Sequence, residues 1–178
     1  MERNRLNQAG LNDEVLKRAV GSFVIQVLVG QGPVAPRLCC NDPPSLNAAE
    51  FLATVFPNAR FIFMIRDGRA VVHDILSGKS NVQGYNMTNY RECMKHWNDE
   101  VEEMNQQCEA IGNKCLKVME PSTVNKLSTW VKAFPDDVLR DAHKIAPMLE
   151  KLGYRRISPH KGYAEEVSSQ KAGNKENR

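Results

Sequence analysis

At 178 residues, 42% hydrophobic and 25% charged, the chain has the composition of a soluble globular protein and a length that suits one domain with a real core. Its net charge of +3 is scattered, with no basic patch interleaved with aromatics, which excludes nucleic acid and a membrane surface as expected partners. The longest apolar stretch, Phe23–Val29, is broken by Gln26 and falls far short of the ~20 residues that a bilayer span requires. Glu2, Arg3, Asn4 and Asn7 stand where a signal peptide would be apolar, so neither a leader nor an anchor is expected. Five cysteines are an odd number, so at least one stays unpaired even under oxidising conditions.

In chain order, Asn12 or Asp13 is placed to cap a helix to about Val29, with Gly30 as its stop. Val15, Ala19, Phe23 and Val27 recur every fourth residue and predict one inward apolar face. Prolines and glycines from Gly32 to Pro44 mark a loop, after which Ser45 opens a second helix to Val55. Arg60–Ile65 is a short run rich in Phe and Ile, bounded by Pro57-Asn58 and Asp67-Gly68. It reads as a strand buried on both faces. Arg69–Leu76 has helical composition. A strand that turns into a helix through basic residues is a natural anion site, with backbone N–H groups, the helix dipole, Arg66 and Arg69 facing the ligand; on spacing alone the favoured reading is a structural strand–turn–helix with its arginines in solvent.

Gly78–Gly84 is a polar connection, and Thr88 is placed to cap the longest helix, to about Ala110. Tyr90, Cys93, Met94, Trp97, Val101 and Met104 form its inward stripe. Gly112 ends that helix and Lys114–Met119 reads as a second strand. Two strands each preceded by a helix predict an α/β fold: a layered parallel sheet with flanking helices. Pro121 to Phe134 reads as a further helix, and Pro135 to Lys151 as another that Pro147 must bend or split. Residues 1–164 are assigned to one domain and 165–178, nearly devoid of apolar residues, to a disordered tail. His73, His96, His143 and His160 have no metal-ligand spacing, and Cys39-Cys40 has no second pair, so no metal is expected. Asn86-Met87-Thr88 is a glycosylation-type tripeptide of the kind that also arises by chance.

Several segments, in order, resemble the protein-tyrosine sulfotransferases. Phe56-Pro57-Asn58-Ala59 with Met64-Ile65-Arg66-Asp67-Gly68-Arg69-Ala70 is similar to that family's core. Arg5-Leu6-Asn7-Gln8-Ala9-Gly10 resembles its RLDQAG, and Leu38-Cys39 with Asp42-Pro43 its LCNKDP. Tyr90-Arg91-Glu92-Cys93 and Lys95-His96-Trp97-Asn98 resemble its YRDC and KWN. Leu127-Ser128-Thr129-Trp130-Val131 resembles LSKWV, and Ile145–Leu149 with Lys151–Tyr154 resembles IAPML and KLGY.

The resemblance implies a P-loop-like sulfotransferase fold, incomplete here. It implies transfer of a sulfuryl group from 3′-phosphoadenosine-5′-phosphosulfate, without a metal, to tyrosines of acidic protein substrates in the Golgi lumen. By resemblance Arg66 clamps the cofactor's 3′-phosphate, while Asp74 stands where the family has a serine. A carboxylate ~4 Å from phosphate, at an effective dielectric near 20, is repelled by roughly 4 kcal/mol. That could cancel the ~1.5–3 kcal/mol of one charged hydrogen bond from Arg66. The other reading of Asp74 is a solvated residue paired with Arg69 or Lys79.

Asn41 replaces a family lysine, and Glu120 aligns less securely with another. No counterpart of the 5′-phosphosulfate loop PRSGTT, of the catalytic glutamate after it, or of YEQL occurs in these residues, so no catalytic residue is assigned. The chain therefore reads as a truncated or internally deleted copy with impaired catalysis. The alternative is a non-catalytic interaction or nucleotide-binding relative, pairing with itself or with a full-length enzyme. The resemblance also implies a disulfide between Cys108 and Cys115, and leaves Cys39 unpaired.

Overall fold

Phe61–Ile65 forms strand β1 and Cys115–Met119 forms β2, the two strands of one parallel sheet. They appear in a computed structural model that describes residues 2–33, 35–80, 82, 84–119 and 130–157. The described helices are α1 (Glu2–Gln8), α2 (Asp13–Gly30), α3 (Ala49–Val55), α4 (Gly68–Leu76), α5 (Tyr90–Ala110), α6 (Asp136–Ile145) and α7 (Met148–Lys151). The mixed α/β class and the parallel pairing agree with the sequence pattern. The chain divides into two compact units, Met1–Ile62 with Gln106–Leu116 and Phe63–Asn105 with Lys117–Arg178.

In the first unit, Asn12 caps α2 by accepting from Val15 N at 3.0 Å. A Cβ on Gly21 would sit 2.9 Å from Val55 Cγ1, so the absence of a side chain lets α2 approach α3. The expected inward stripe of α2 is not inward: Phe23 is 69% and Val27 42% exposed. Only the Gly21 position of that helix is buried, because α2 is covered by α3 along a narrow line. The second helix also differs from expectation. Pro43–Ala48 is a 3-10 helix and α-helix begins only at Ala49, a tighter first turn of the kind frequent at α-helix N-termini. Glu50 N donates to Gln107 Oε1 at 3.1 Å and Lys114 Nζ to Ala53 O at 3.3 Å, tying α3 to the end of α5 and the turn after it.

In the second unit, Phe63 and Ile65 of β1, Ala70, Val72 and Ile75 of α4, and Cys93, Met94, Trp97 and Val101 of α5 are buried, so the predicted α5 stripe does face the core. Trp130, Phe134, Val138, Leu139, Met148 and Leu149 complete it. Asn98 Oδ1 accepts from Met148 N at 2.9 Å and so satisfies a donor at the start of α7. Pro147 separates α6 from α7, the split that proline was expected to impose. Asn89, not Thr88, starts α5, accepting from Arg91 N at 3.0 Å and Glu92 N at 3.2 Å.

The central strand corrects a further expectation. Ile62 and Met64 are 62% and 65% exposed, so β1 is buried on one face only. Successive side chains of a strand point to opposite sides, and among the described residues only the Phe63–Ile65 side is covered. The expected helix from Pro121 lies outside the described residues up to Thr129, as does the expected disordered tail. Among the described residues, no helix is long and apolar enough to cross a membrane.

Candidate functional site

The turn between β1 and α4 is built around Asp67. Its carboxylate caps the helix, Oδ1 accepting from Arg69 N at 3.0 Å. The same carboxylate takes the Arg69 guanidinium side-on, with Nε 2.9 Å from Oδ1 and an Nη 2.7 Å from Oδ2. Both side chains are 1% exposed, and the guanidinium lies 5.0 Å from the Trp130 ring centroid. The other Nη donates to Arg155 O at 2.8 Å, fastening the segment after α7 beneath the turn. Gly68 fits because it has no side chain: a Cβ there would lie 2.4–2.7 Å from the Trp97 ring.

Arg69 therefore does not add charge to a ligand site, as the sequence suggested. Its charge is answered by Asp67 inside the protein, and a carboxylate already occupies the positive end of α4. A carboxylate two residues before an arginine, followed by glycine at a helix start, was the available signal for this cap.

Arg66 has a different setting. Its side chain is 43% exposed and its guanidinium reaches Asp74 Oδ2 at 2.7 Å. Asp74 sits two turns into α4, and Lys79 Nζ lies 3.6 Å from its other oxygen. Arg66 and Asp74 are thus brought together, and the partners of Asp74 are Arg66 and Lys79, not Arg69. An anion bound at this guanidinium would lie close to the Asp74 carboxylate and be repelled by it. As a fit for a 3′-phosphate this geometry is partial: the fork is accessible, but its nearest acceptor carries the ligand's own sign of charge.

The remaining sequence candidates lie elsewhere. Cys108 and Cys115 are joined by a disulfide between α5 and β2. Cys39 and Cys40 are exposed free thiols, and Asn41 is exposed in the same loop of the first unit. Glu120 is outside the described residues. An open groove of ≈ 520 Å³ in the first unit, lined by Lys17, Arg18, Ser22 and Thr54 among others, contains none of the candidate residues.

The family model described as "Sulfotransferase family" matches residues 1–136. The chain is 33% identical to Protein-tyrosine sulfotransferase A of Caenorhabditis elegans, covering 96% of this chain and 59% of that protein. It is 34% identical to Protein-tyrosine sulfotransferase 1 of Danio rerio over 89% and 59%, and 35% identical to that of Mus musculus over 86% and 56%. The chain thus spans little more than half the length of these relatives. The nematode alignment runs over 224 residues against the chain's 178, so within the matched span the relative carries segments that this chain lacks.

Proposed function

Because this chain belongs to the sulfotransferase family and is homologous to protein-tyrosine sulfotransferases, we propose that its β1–α4 turn is the 3′-phosphate end of a site for 3′-phosphoadenosine-5′-phosphosulfate. The whole protein's activity would then be sulfuryl transfer to tyrosines of acidic protein segments, in the Golgi lumen. The observation that carries the reading is Arg66, a half-exposed guanidinium at the end of β1 that lies in the segment resembling the family core. The cofactor, when bound, supplies the transferable sulfuryl group. Of this chain's residues, Arg66 would hold the 3′-phosphate and Asp74 would compete with it.

We further propose that these 178 residues, as written, bind the nucleotide weakly and do not transfer sulfate at a useful rate. Transfer requires donors arranged around the bridging oxygen, and losing one such donor costs about a hundredfold or more in rate. Asn41 is neutral where the family has a lysine, and neither the phosphosulfate loop nor the glutamate base has a counterpart in these residues. A second reading, a non-catalytic relative that pairs with another copy or with a full-length enzyme, draws support from the exposed Ile62 and Met64 face of β1.

Calorimetry with adenosine 3′,5′-bisphosphate tests the site. Asp74→Ser removes the competing charge and adds a hydroxyl donor, and should tighten binding about tenfold, ~1.4 kcal/mol. Arg66→Ala should abolish binding. Equal affinities for all three forms would overturn the assignment. Transfer of labelled sulfate to an acidic tyrosine peptide within about tenfold of an intact relative would overturn the proposed impairment.

A further inference from the structure

We propose that Asn86 is a site of N-linked glycosylation. Asn86-Met87-Thr88 is the only Asn-X-Ser/Thr tripeptide in the 178 residues. It lies in the loop that leads into α5, with Asn86, Met87 and Thr88 all exposed. Asn86 Oδ1 accepts from Thr88 N at 3.1 Å and from Thr88 Oγ1 at 2.8 Å, an Asx turn that brings the hydroxyl against the carboxamide. Asn86 Nδ2 donates to Glu92 Oε2 at 2.7 Å. Both halves of the carboxamide thus face the loop surface and the first turn of α5, away from the buried stripe of that helix.

The chemistry asks for one co-reactant, an oligosaccharide carried on a lipid diphosphate. Asn86 Nδ2 attacks the anomeric carbon, a C–N bond forms, and the C–O bond to the diphosphate breaks. The electron pair leaves with the lipid diphosphate and the amide gives up one proton. The product amide keeps one N–H and so retains a donor beside Glu92. Transfer of this kind belongs to the oxidising secretory lumen, and the Cys108–Cys115 disulfide is at home in the same compartment. The inference rests on that compartment and is independent of the nucleotide site at Arg66.

The test is expression of the full chain behind a cleavable secretory leader in eukaryotic cells, followed by treatment with an amidase specific for N-linked glycans. One band should collapse to a faster one, with deamidation mapped to Asn86. Asn86→Gln and Thr88→Ala should migrate from the start with the treated wild type, whereas Thr88→Ser should keep part of the shift. Formation of the Cys108–Cys115 bond, read from a peptide map, reports that the chain entered the lumen. An unshifted wild type that carries that disulfide would overturn the proposal, as would a shift that persists in Asn86→Gln.

Discussion

Asp67 and Arg69 face each other across one residue, joined by contacts of 2.9 and 2.7 Å, and the loop from α7 closes over them through the Arg155 carbonyl. Removing one member of a buried pair leaves an uncompensated charge and costs about 3–5 kcal/mol. Arg69→Met should therefore lower the free energy of unfolding, read from urea denaturation, by that amount, and Arg69→Lys should recover only part of it, because an ammonium cannot grip both oxygens side-on. Wild-type stability in Arg69→Met would show that the pair does not hold the turn.

Gly68 makes a second demand on the same turn. A methyl group there collides with the Trp97 ring, and overpacking of this kind costs about 1–3 kcal/mol. Gly68→Ala should lower the melting temperature, and Trp97→Leu in that background should recover part of the loss by vacating the space. A double mutant no better than the sum of its parts would place the strain elsewhere.

The Cys108–Cys115 bond closes a short loop, at a sequence separation of 7, between the end of α5 and β2. Cross-linking so short a loop contributes roughly 2–3 kcal/mol through the unfolded chain. Cys115→Ser, or reduction of the wild type, should lower the free energy of unfolding, read from denaturation, by that amount. Cys39→Ser should leave it unchanged, since Cys39 is an exposed free thiol.

Stability should also fall with acid. Burial is the main cause that holds His143 below its ordinary pKa; nearby Arg69 and Arg156 add to it, against the opposing pull of the Tyr154 carbonyl and Glu150. His73 is lowered too, first by burial and then by Lys79, with Asp74 opposing. A depressed imidazole binds fewer protons folded than unfolded, so stability rises with pH. The contribution is complete above the unfolded value of about 6.5 and is lost as pH drops from there toward the folded value. The melting temperature should decline across that window, and His143→Gln should flatten the decline. An unchanged slope in His143→Gln would assign the effect to other groups.

Much of the local structure could be read from residue order alone, because its causes are local. Asn12 as a cap, the period of Cys93, Met94, Trp97 and Val101, the proline break at Pro147, and the strand composition of Phe61–Ile65 depend on neighbours a few residues away. The order of short motifs was likewise enough to assign the family. Tertiary structure decided what faces what. Phe23 and Val27 have helical period but little opposite them, and Ile62 and Met64 alternate with buried neighbours on the uncovered side of β1. Burial depends on the partner surface, and a one-dimensional period does not say whether that surface is present. The same holds at the candidate site. Arg66 and Arg69 are three residues apart and look alike in sequence. Arg69 lies in the first turn of α4, where its side chain folds back onto Asp67 beside Trp130, whereas Arg66 precedes the helix at the end of β1 and stays at the surface against Asp74.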